Sequence, residues 1–586
     1  MKKNLLYAGL MALSLQSCYF LDREPQDTIT KETFFSTAGA PGLEQYCNNF
    51  YPQLIIGHSA PQSYNFGMLE DEFKSDNIYT WDYNEISFGL HVAPTAASGT
   101  EWSWSVIRAC NDFLANYQSS QASEAAKQRY AGEILFFKVM DYYNKVKAYG
   151  DVPWYDEVMN PGDQAMYKAR DSRTVVMDKM LECIDQAIAW LPLKSAVDVT
   201  RVSKDAALAL KARFCLFEGT WRRYHKIDGD TKFLQEAYDA AGELMKGDYG
   251  YSLFQGSSTS QVYHELFIQP DYANNPEIIL SKAYDPSLGK GNNLSRQIGV
   301  GEVYIGVSQD CVDDYLCAKT GLPVTLCGCE GHTTHTTLIA ELNNRDPRLL
   351  QTICSPEAGE HAYYLEGHPA NISNIVTTGA KGSSSTGYSI AKFYNAAEHT
   401  AAHHQGTLDA PVFRYAEILL IRAEAAAELG TITQADLDAT VNALRARVGF
   451  NHKLTLTPQA DPKLVAEYGN VTGSHATLIR EIRRERRVEL FGEGYRYDDL
   501  RRWACGKRLD ASVVLRVGMI PDPTLYSADQ IAKLQSELGT DAGGHIDVYT
   551  KRVKTQARFE DPKNYLFAIP INERAINPNL TQNPGW

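Results

Sequence analysis

Apolar residues recur at helical spacing along most of this chain, and the stretches that break the rhythm mark its other parts. Residues 102–118 place Trp104, Ile107, Asn111 and Leu114 on one face, and residues 126–148 do the same with Tyr130, Ile134, Phe137, Met140 and Tyr142/Tyr143. Gly150 is placed to close the second of these helices, and Val152-Pro153 leads away from it in an extended segment. Ser172 and Ser203 stand where N-caps belong. The first precedes Val176, Met180, Ile184, Ala187 and Leu191; the second precedes Ala206, Leu210, Phe214, Phe217 and Trp221. Another helix is predicted over 232–246, and an earlier one through Leu43, Tyr46, Phe50 and Tyr51. Farther on, 414–429 and 437–448 form a pair around Gly430, with Ala423, Ala425, Ala426 and Ala427 small enough for close helix approach. Gly449 ends that pair, and 475–491 is a third helix dense in charge. Helix–turn–helix units with small-residue packing faces follow the logic of tetratricopeptide repeats. The predicted fold is therefore mostly α, a tetratricopeptide-like helical-repeat scaffold with a loop-rich irregular region carrying short strands.

Two stretches lack helical period. Residues 71–101 carry Gly89, Pro94, Ser98 and Gly99 and read as a long loop. Residues 249–410 are rich in Gly, Ser, Asn, Thr and Pro, with short strands such as 277–282. Long irregular segments on a rigid scaffold are where binding residues concentrate.

The N-terminus has its own pattern. Lys2 and Lys3 precede the apolar run Leu5 to Leu15, too short to span a bilayer, and Leu15-Gln16-Ser17-Cys18 follows as a lipobox-like site. The expectation is a signal peptide over 1–17, cleavage before Cys18, and acylation of Cys18, which holds a soluble body to a membrane by buried methylenes. The expected divisions are a lipidated tether over 18–36, a helical half over 37–248, the irregular ligand-binding region over 249–410, and C-terminal helices with a tail over 411–586.

Composition narrows the function. The net charge of −14 argues against a nucleic-acid partner. No nucleophile elbow, P-loop or His-Glu-x-x-His motif occurs, and the acid pairs Glu70/Asp71/Glu72 and Asp498/Asp499 sit where capping and solvation explain them, so no enzyme and no cofactor are expected. The run Arg480 to Glu489 interleaves Glu481, Glu485 and Glu489 with arginines and reads as a helix face laced with its own ion pairs. Cys327-Gly-Cys329-x-x-His332-x-x-His335 suits zinc in ligand type but matches no standard finger. In an oxidising compartment the expectation for the cysteines of 311–354 is one or two disulfides or buried thiols, with no metal site assigned. His399, His403 and His404 read as a solvated loop.

Aromatics are abundant, with 34 Tyr and 8 Trp. Trp81 and Tyr83 alternate with polar residues in the long loop, Trp102 precedes the next helix, and Tyr284 and Tyr304 flank Asn292, Asn293, Arg296 and Gln297. Flat rings beside amide and guanidinium donors suit sugars, whose C–H faces pack on the ring while hydroxyls take hydrogen bonds. Trp81, Tyr83, Trp102, Tyr284 and Tyr304 are accordingly the candidate ligand-binding residues.

Four stretches in order resemble the SusD/RagB family of outer-membrane nutrient-binding lipoproteins of Bacteroidetes. They are Cys18 to Asp27 with Glu32-Thr-Phe-Phe35; Gly132 to Phe137 through Tyr149-Gly-Asp-Val-Pro153; Arg414 to Glu424 with Ile482 to Trp503; and Tyr565 to Pro570 with Asn577-Pro578 and Gln582 to Trp586. The resemblance implies a helical scaffold, a loop-built binding surface, no catalysis, and action as a lid on a SusC-like TonB-dependent transporter, with an oligosaccharide as the usual ligand. A peptide-binding importer subunit and a repeat scaffold that binds protein alone are the alternatives.

Overall fold

The computed structural model describes residues 31–586 apart from 60–64, 161, 301–303, 333–336, 357–362, 366–367, 371–373, 376–382, 399–401 and 512–515. Cys18, His335 and His399 lie outside the described residues. No helix among the described residues is long and apolar enough to cross a membrane.

The helical order begins with α1 (Lys31–Thr37), α2 (Ala40–Asn48), α3 (Ser105–Asn116), α4 (Glu124–Tyr149), α5 (Arg173–Trp190), α6 (Lys204–His225) and α7 (Asp230–Leu244). It resumes with α8 (Tyr415–Leu429), α9 (Gln434–Ala439), α10 (Val441–Arg447), α11 (Ala476–Glu489) and α12 (Arg496–Arg502). From α3 to α8 each helix packs on the next, and α8 also packs on α11. The N-caps expected at Ser172 and Ser203 form, and Ser123 caps α4 in the same way. Ser123, Ser172 and Ser203 accept from the backbone N–H three residues on, at 3.3, 3.4 and 3.2 Å, each contributing about 1 kcal/mol relative to Ala. Gly150 and Gly430 end α4 and α8 at φ +72° and +75°, where a Cβ would be strained. The single helix expected over 437–448 is instead two short helices, broken at Thr440. The chain expected to be a tether over 18–36 is already helical from Lys31. There, buried Phe35 packs edge-on against Phe113 at 5.7 Å, and this apolar anchor overrides the polar composition around it.

The helices share one large core that draws on both ends of the chain. It runs from Phe35 through α3–α7 and on to α8, α11, α12, Tyr565 and Ile569. A second core lies under the irregular region and gathers Tyr263, Leu294, Val312, Leu349, Phe393, Met519 and Ile546. Strands here are short: β1 (Ile78–Tyr79), β2 (Ile278–Lys282), β3 (Gly306–Val307) and β4 (Ala410–Arg414). β2 pairs antiparallel with β4, and β1 with β3 in the register Ile78↔Val307 and Tyr79↔Gly306.

The charged helix α11 departs from the expected pattern. Glu481 meets Arg484 within the helix at 3.4 Å, but the other charges from Arg483 to Glu489 are buried and find their partners mainly on other elements. Glu489 accepts from Arg414 at 2.8 Å and Arg447 at 2.7 Å, Arg486 meets Asp499 at 2.8 Å, and Arg487 reaches Asp314 at 2.6 Å and Asp310 at 2.7 Å. Asp76, in the loop before β1, is buried among Arg487, Arg496 and Arg508. Burial alone would raise its carboxyl, but the three guanidinium groups outweigh it and hold the group well below the usual range. The network fixes the loop that carries the candidate site onto the helical scaffold.

Candidate functional site

The β1–β3 register decides which aromatics meet. Tyr79 faces Gly306, so continuing two residues past β1 and two before β3 brings Trp81 to Tyr304. Their rings lie 6.1 Å apart, edge to face at 63°. Both are partly exposed, and Tyr304 sits at φ +51°, a left-handed conformation uncommon for a non-glycine residue. Over the Trp81 ring lies the Arg552 guanidinium, 3.0 Å from the centroid. Burial lowers the pKa of Arg552, Asp82 offsets this in part, and its Nη1 has no acceptor among the described residues. A shallow groove of ≈ 330 Å³ is lined by Trp81, Asp82, Tyr83, Arg552, Val553 and Thr555.

A small aromatic core supports this groove from below. Tyr79, Phe88, Val548, Tyr549 and Ala557 are buried together, and Tyr83 packs on Phe88 at 4.9 Å. Tyr549 donates to Thr80 O at 2.9 Å and Ser385 donates to Tyr79 O at 2.6 Å. The site is thus assembled from the loop after β1, Tyr304 two residues before β3, and a C-terminal loop separated in sequence by 469 positions at the Thr80–Tyr549 bond.

Two of the five candidates are not available to a ligand in this way. Trp102 is 2% exposed, pinned edge-on between Trp104 at 5.6 Å and Tyr149 at 4.9 Å, because it leads directly into α3 and plugs the helical core. It forms part of the floor of a separate apolar hollow of ≈ 360 Å³ that also touches Trp104, Tyr155, Met166 and Ile576. Tyr284 is 5% exposed; its hydroxyl donates to Ser59 O at 2.8 Å and accepts from Ser59 N–H at 3.1 Å, and its own N–H donates to Asp409 at 3.1 Å. The amides beside it are buried too: Asn292 donates to Leu408 O at 3.0 Å and Asn293 accepts from His404 N–H at 2.5 Å. These polar groups are buried and spend their hydrogen bonds holding turns together.

The acid groups are likewise engaged. Glu72 is buried and accepts from Asn77 at 2.7 Å and from Gly494 N–H at 3.0 Å, with burial pushing its carboxyl up to about 7. Asp499 pairs with Arg486 and Arg502, and Asp498 with Lys147 at 2.7 Å. Of the two expectations for the cysteines of 311–354, the unpaired one fits: all ten cysteines among the described residues are free thiols, with Cys311, Cys317 and Cys354 buried. Where no metal site was assigned, Cys317, Cys327, Cys329 and His332 bring one ligand atom each within 4.8 Å of one another. Cys317 is the member that linear spacing did not connect to the other three.

Arg552 was the residue that sequence reasoning passed over. Its only signal is the basic stretch Lys551-Arg552-x-Lys554 in a polar loop, which a solvated surface carries equally well.

Known proteins share this architecture. The family model described as SusD family matches residues 276–586, and one described as starch-binding associating with outer membrane matches 19–216. A SusD-like protein P38 of Formosa agariphila is 24% identical over 519 residues, which is 85% of this chain and 91% of its own. Among solved structures, a SusD-like carbohydrate binding protein of Bacteroides fragilis superposes with a TM-score of 0.73 at 24% identity, covering 94% of this chain and 100% of its own. A laminarin binding SusD-like protein superposes at 0.58 and 19% identity, covering 94% and 100%. With the SusD family model alone spanning more than half of the 586 residues, on a mainly helical scaffold of the same tetratricopeptide-like kind, the chain belongs to the SusD/RagB family.

Proposed function

We propose that this protein is a non-enzymatic, cell-surface binder of oligosaccharides that delivers its ligand to a SusC-like TonB-dependent outer-membrane transporter. The single observation that carries the glycan reading is the groove lined by Trp81, Tyr83 and Arg552, with Tyr304 edge to face against Trp81. Partly exposed rings offer the apolar face of a sugar a surface, and guanidinium and carboxylate groups at the rim can take its hydroxyls. The carbohydrate-binding relatives and the family described as starch-binding and outer-membrane-associated support the same ligand class. Acylation at Cys18 is the proposed link to the membrane, resting on the apolar run and lipobox-like site before it. A lipid-anchored binder cannot itself move ligand across a bilayer, which is the physical reason for a barrel partner.

Affinity purification of the full chain from detergent-solubilised outer membrane tests the whole reading. The wild type should sediment with membranes and bring down a large β-barrel receptor in near-equal amount; Cys18→Ala should leave the membrane fraction and lose the receptor. A Cys18→Ala protein that stays membrane-bound and still takes up a fatty-acid label would sink the anchor. A wild type recovered alone would sink the barrel partnership.

A further inference from the structure

Away from the aromatic groove, the thiols of Cys317, Cys327 and Cys329 and the imidazole of His332 gather with one ligand atom each within 4.8 Å of one another. We propose that these four side chains form a closed structural zinc site.

Two of the distances within the cluster come close to those a bound ion imposes, and the four ligand atoms together lie within 4.8 Å of one another. Tetrahedral zinc with Zn–S of about 2.3 Å and Zn–N of about 2.0–2.1 Å sets S···S near ~3.8 Å and S···N near ~3.6 Å. Cys317 Sγ lies 3.6 Å from Cys329 Sγ, and Cys327 Sγ lies 3.3 Å from His332 Nδ1. A disulfide would bring two sulfurs to about 2.05 Å.

The surroundings orient the ligands. His332 Nε2 is 2.9 Å from Asn343 O, and since a carbonyl only accepts, Nε2 carries the proton and Nδ1 keeps its lone pair toward the sulfurs. The Cys329 N–H donates to Cys327 Sγ at 3.4 Å, and Gly328 between them turns at φ +66° to allow it. The backbone holds the ligands from both sides. Cys317 forms an antiparallel bridge with Arg345, Ala318 N–H donates to Asn344 O at 2.7 Å, and Cys327 N–H donates to Pro323 O at 3.0 Å.

The donor set chooses the ion. Thiolates with imidazole suit zinc and not calcium or magnesium, which take oxygen. Three sulfurs and one nitrogen fill the four positions and leave none for a substrate, so the role is structural. The ion would clasp the loop 317–332 to the segment at Asn343–Arg345, as a disulfide does elsewhere in secreted proteins.

The test uses the full chain purified in detergent without chelator, with metal read by inductively coupled plasma mass spectrometry. The wild type should carry about one zinc per chain. A Cys327→Ser/Cys329→Ser double variant should lose at least about tenfold of that content, while Cys183→Ser, outside the cluster, keeps it. Cobalt exchanged into the wild type should show a thiolate-to-metal charge-transfer band and the visible bands of tetrahedral coordination. Chelator treatment of the wild type, which needs no variant to fold, should release the zinc, lower Tm and expose three further thiols to titration. Wild type without metal, a double variant that keeps its zinc, or non-reducing peptide mapping that finds two of these cysteines disulfide-bonded would each overturn the proposal.

Discussion

Trp81 and Trp102 both stand in polar, loop-like sequence, yet Trp81 lines the groove beside Arg552 while Trp102 is buried against Trp104 and Tyr149. The polar residues just before Trp81 suggest an exposed loop, yet two of them, Asp76 and Asn77, are buried. A polar residue signals exposure only when no buried partner awaits it, and the three arginines that receive Asp76 come from 487, 496 and 508, far along the chain. Tyr284 misleads for a related reason: its hydroxyl looks available to a sugar but bridges both backbone groups of Ser59. Tyr284→Phe removes that bridge and leaves a buried N–H and C=O short of partners, a loss of about 1–3 kcal/mol. Chemical denaturation should register the loss while glycan retention in affinity gels stays at the wild-type level. Weakened retention with unchanged stability would return Tyr284 to the binding surface.

Helix ends and helix packing were legible at the scale of elements. Ser172, Ser203, Gly150 and Gly430 act as caps because capping depends on residues within one turn. Where α6 crosses α7, Gly219 is the contact: a Cβ there would stand 2.9 Å from the Leu234 backbone nitrogen and 2.7 Å from its Cγ. Gly219→Ala should therefore cost about 1–3 kcal/mol through overpacking, although alanine is the better helix former. A Tm equal to or above wild type would show that the two helices can separate without loss. The partners of α11 were not legible, because a run of alternating charge has the same pattern whether its ion pairs lie within the helix or across a core. Asp76→Asn should destabilise by about 3–5 kcal/mol, since it strands buried guanidinium charge. The pH dependence follows from the same carboxyl. Its folded pKa lies below the ordinary 3.8, so its stabilisation is present above that value and is lost as the pH falls through and below it. The wild-type Tm should fall more steeply than that of Asp76→Asn below about pH 4. Parallel curves would remove Asp76 from the acid response.

Across the whole molecule, the helical scaffold shows in its periodicity, whereas the site exists only through long-range return of the chain. Residues 549–555 come back to the loop at 80–83, and 304 meets 81 through a strand pair of two residues each. Short strands carry too little alternation to announce their partners, so Trp81, Tyr83 and Tyr304 stand in the sequence as separate candidates, and Arg552 is marked only by a basic stretch that a solvated surface carries equally well. The central claim is that these residues form one glycan-binding surface on a rigid support. Its most direct test is titration of wild type and Trp81→Ala, in parallel, with a panel that includes starch and laminarin oligosaccharides. Aromatic stacking contributes about 0.5–1.5 kcal/mol beyond buried area, so the variant should bind about tenfold more weakly with its Tm close to wild type. Equal affinity of the two proteins for every glycan the wild type binds, or a Trp81→Ala protein that has lost its fold, would contradict the account.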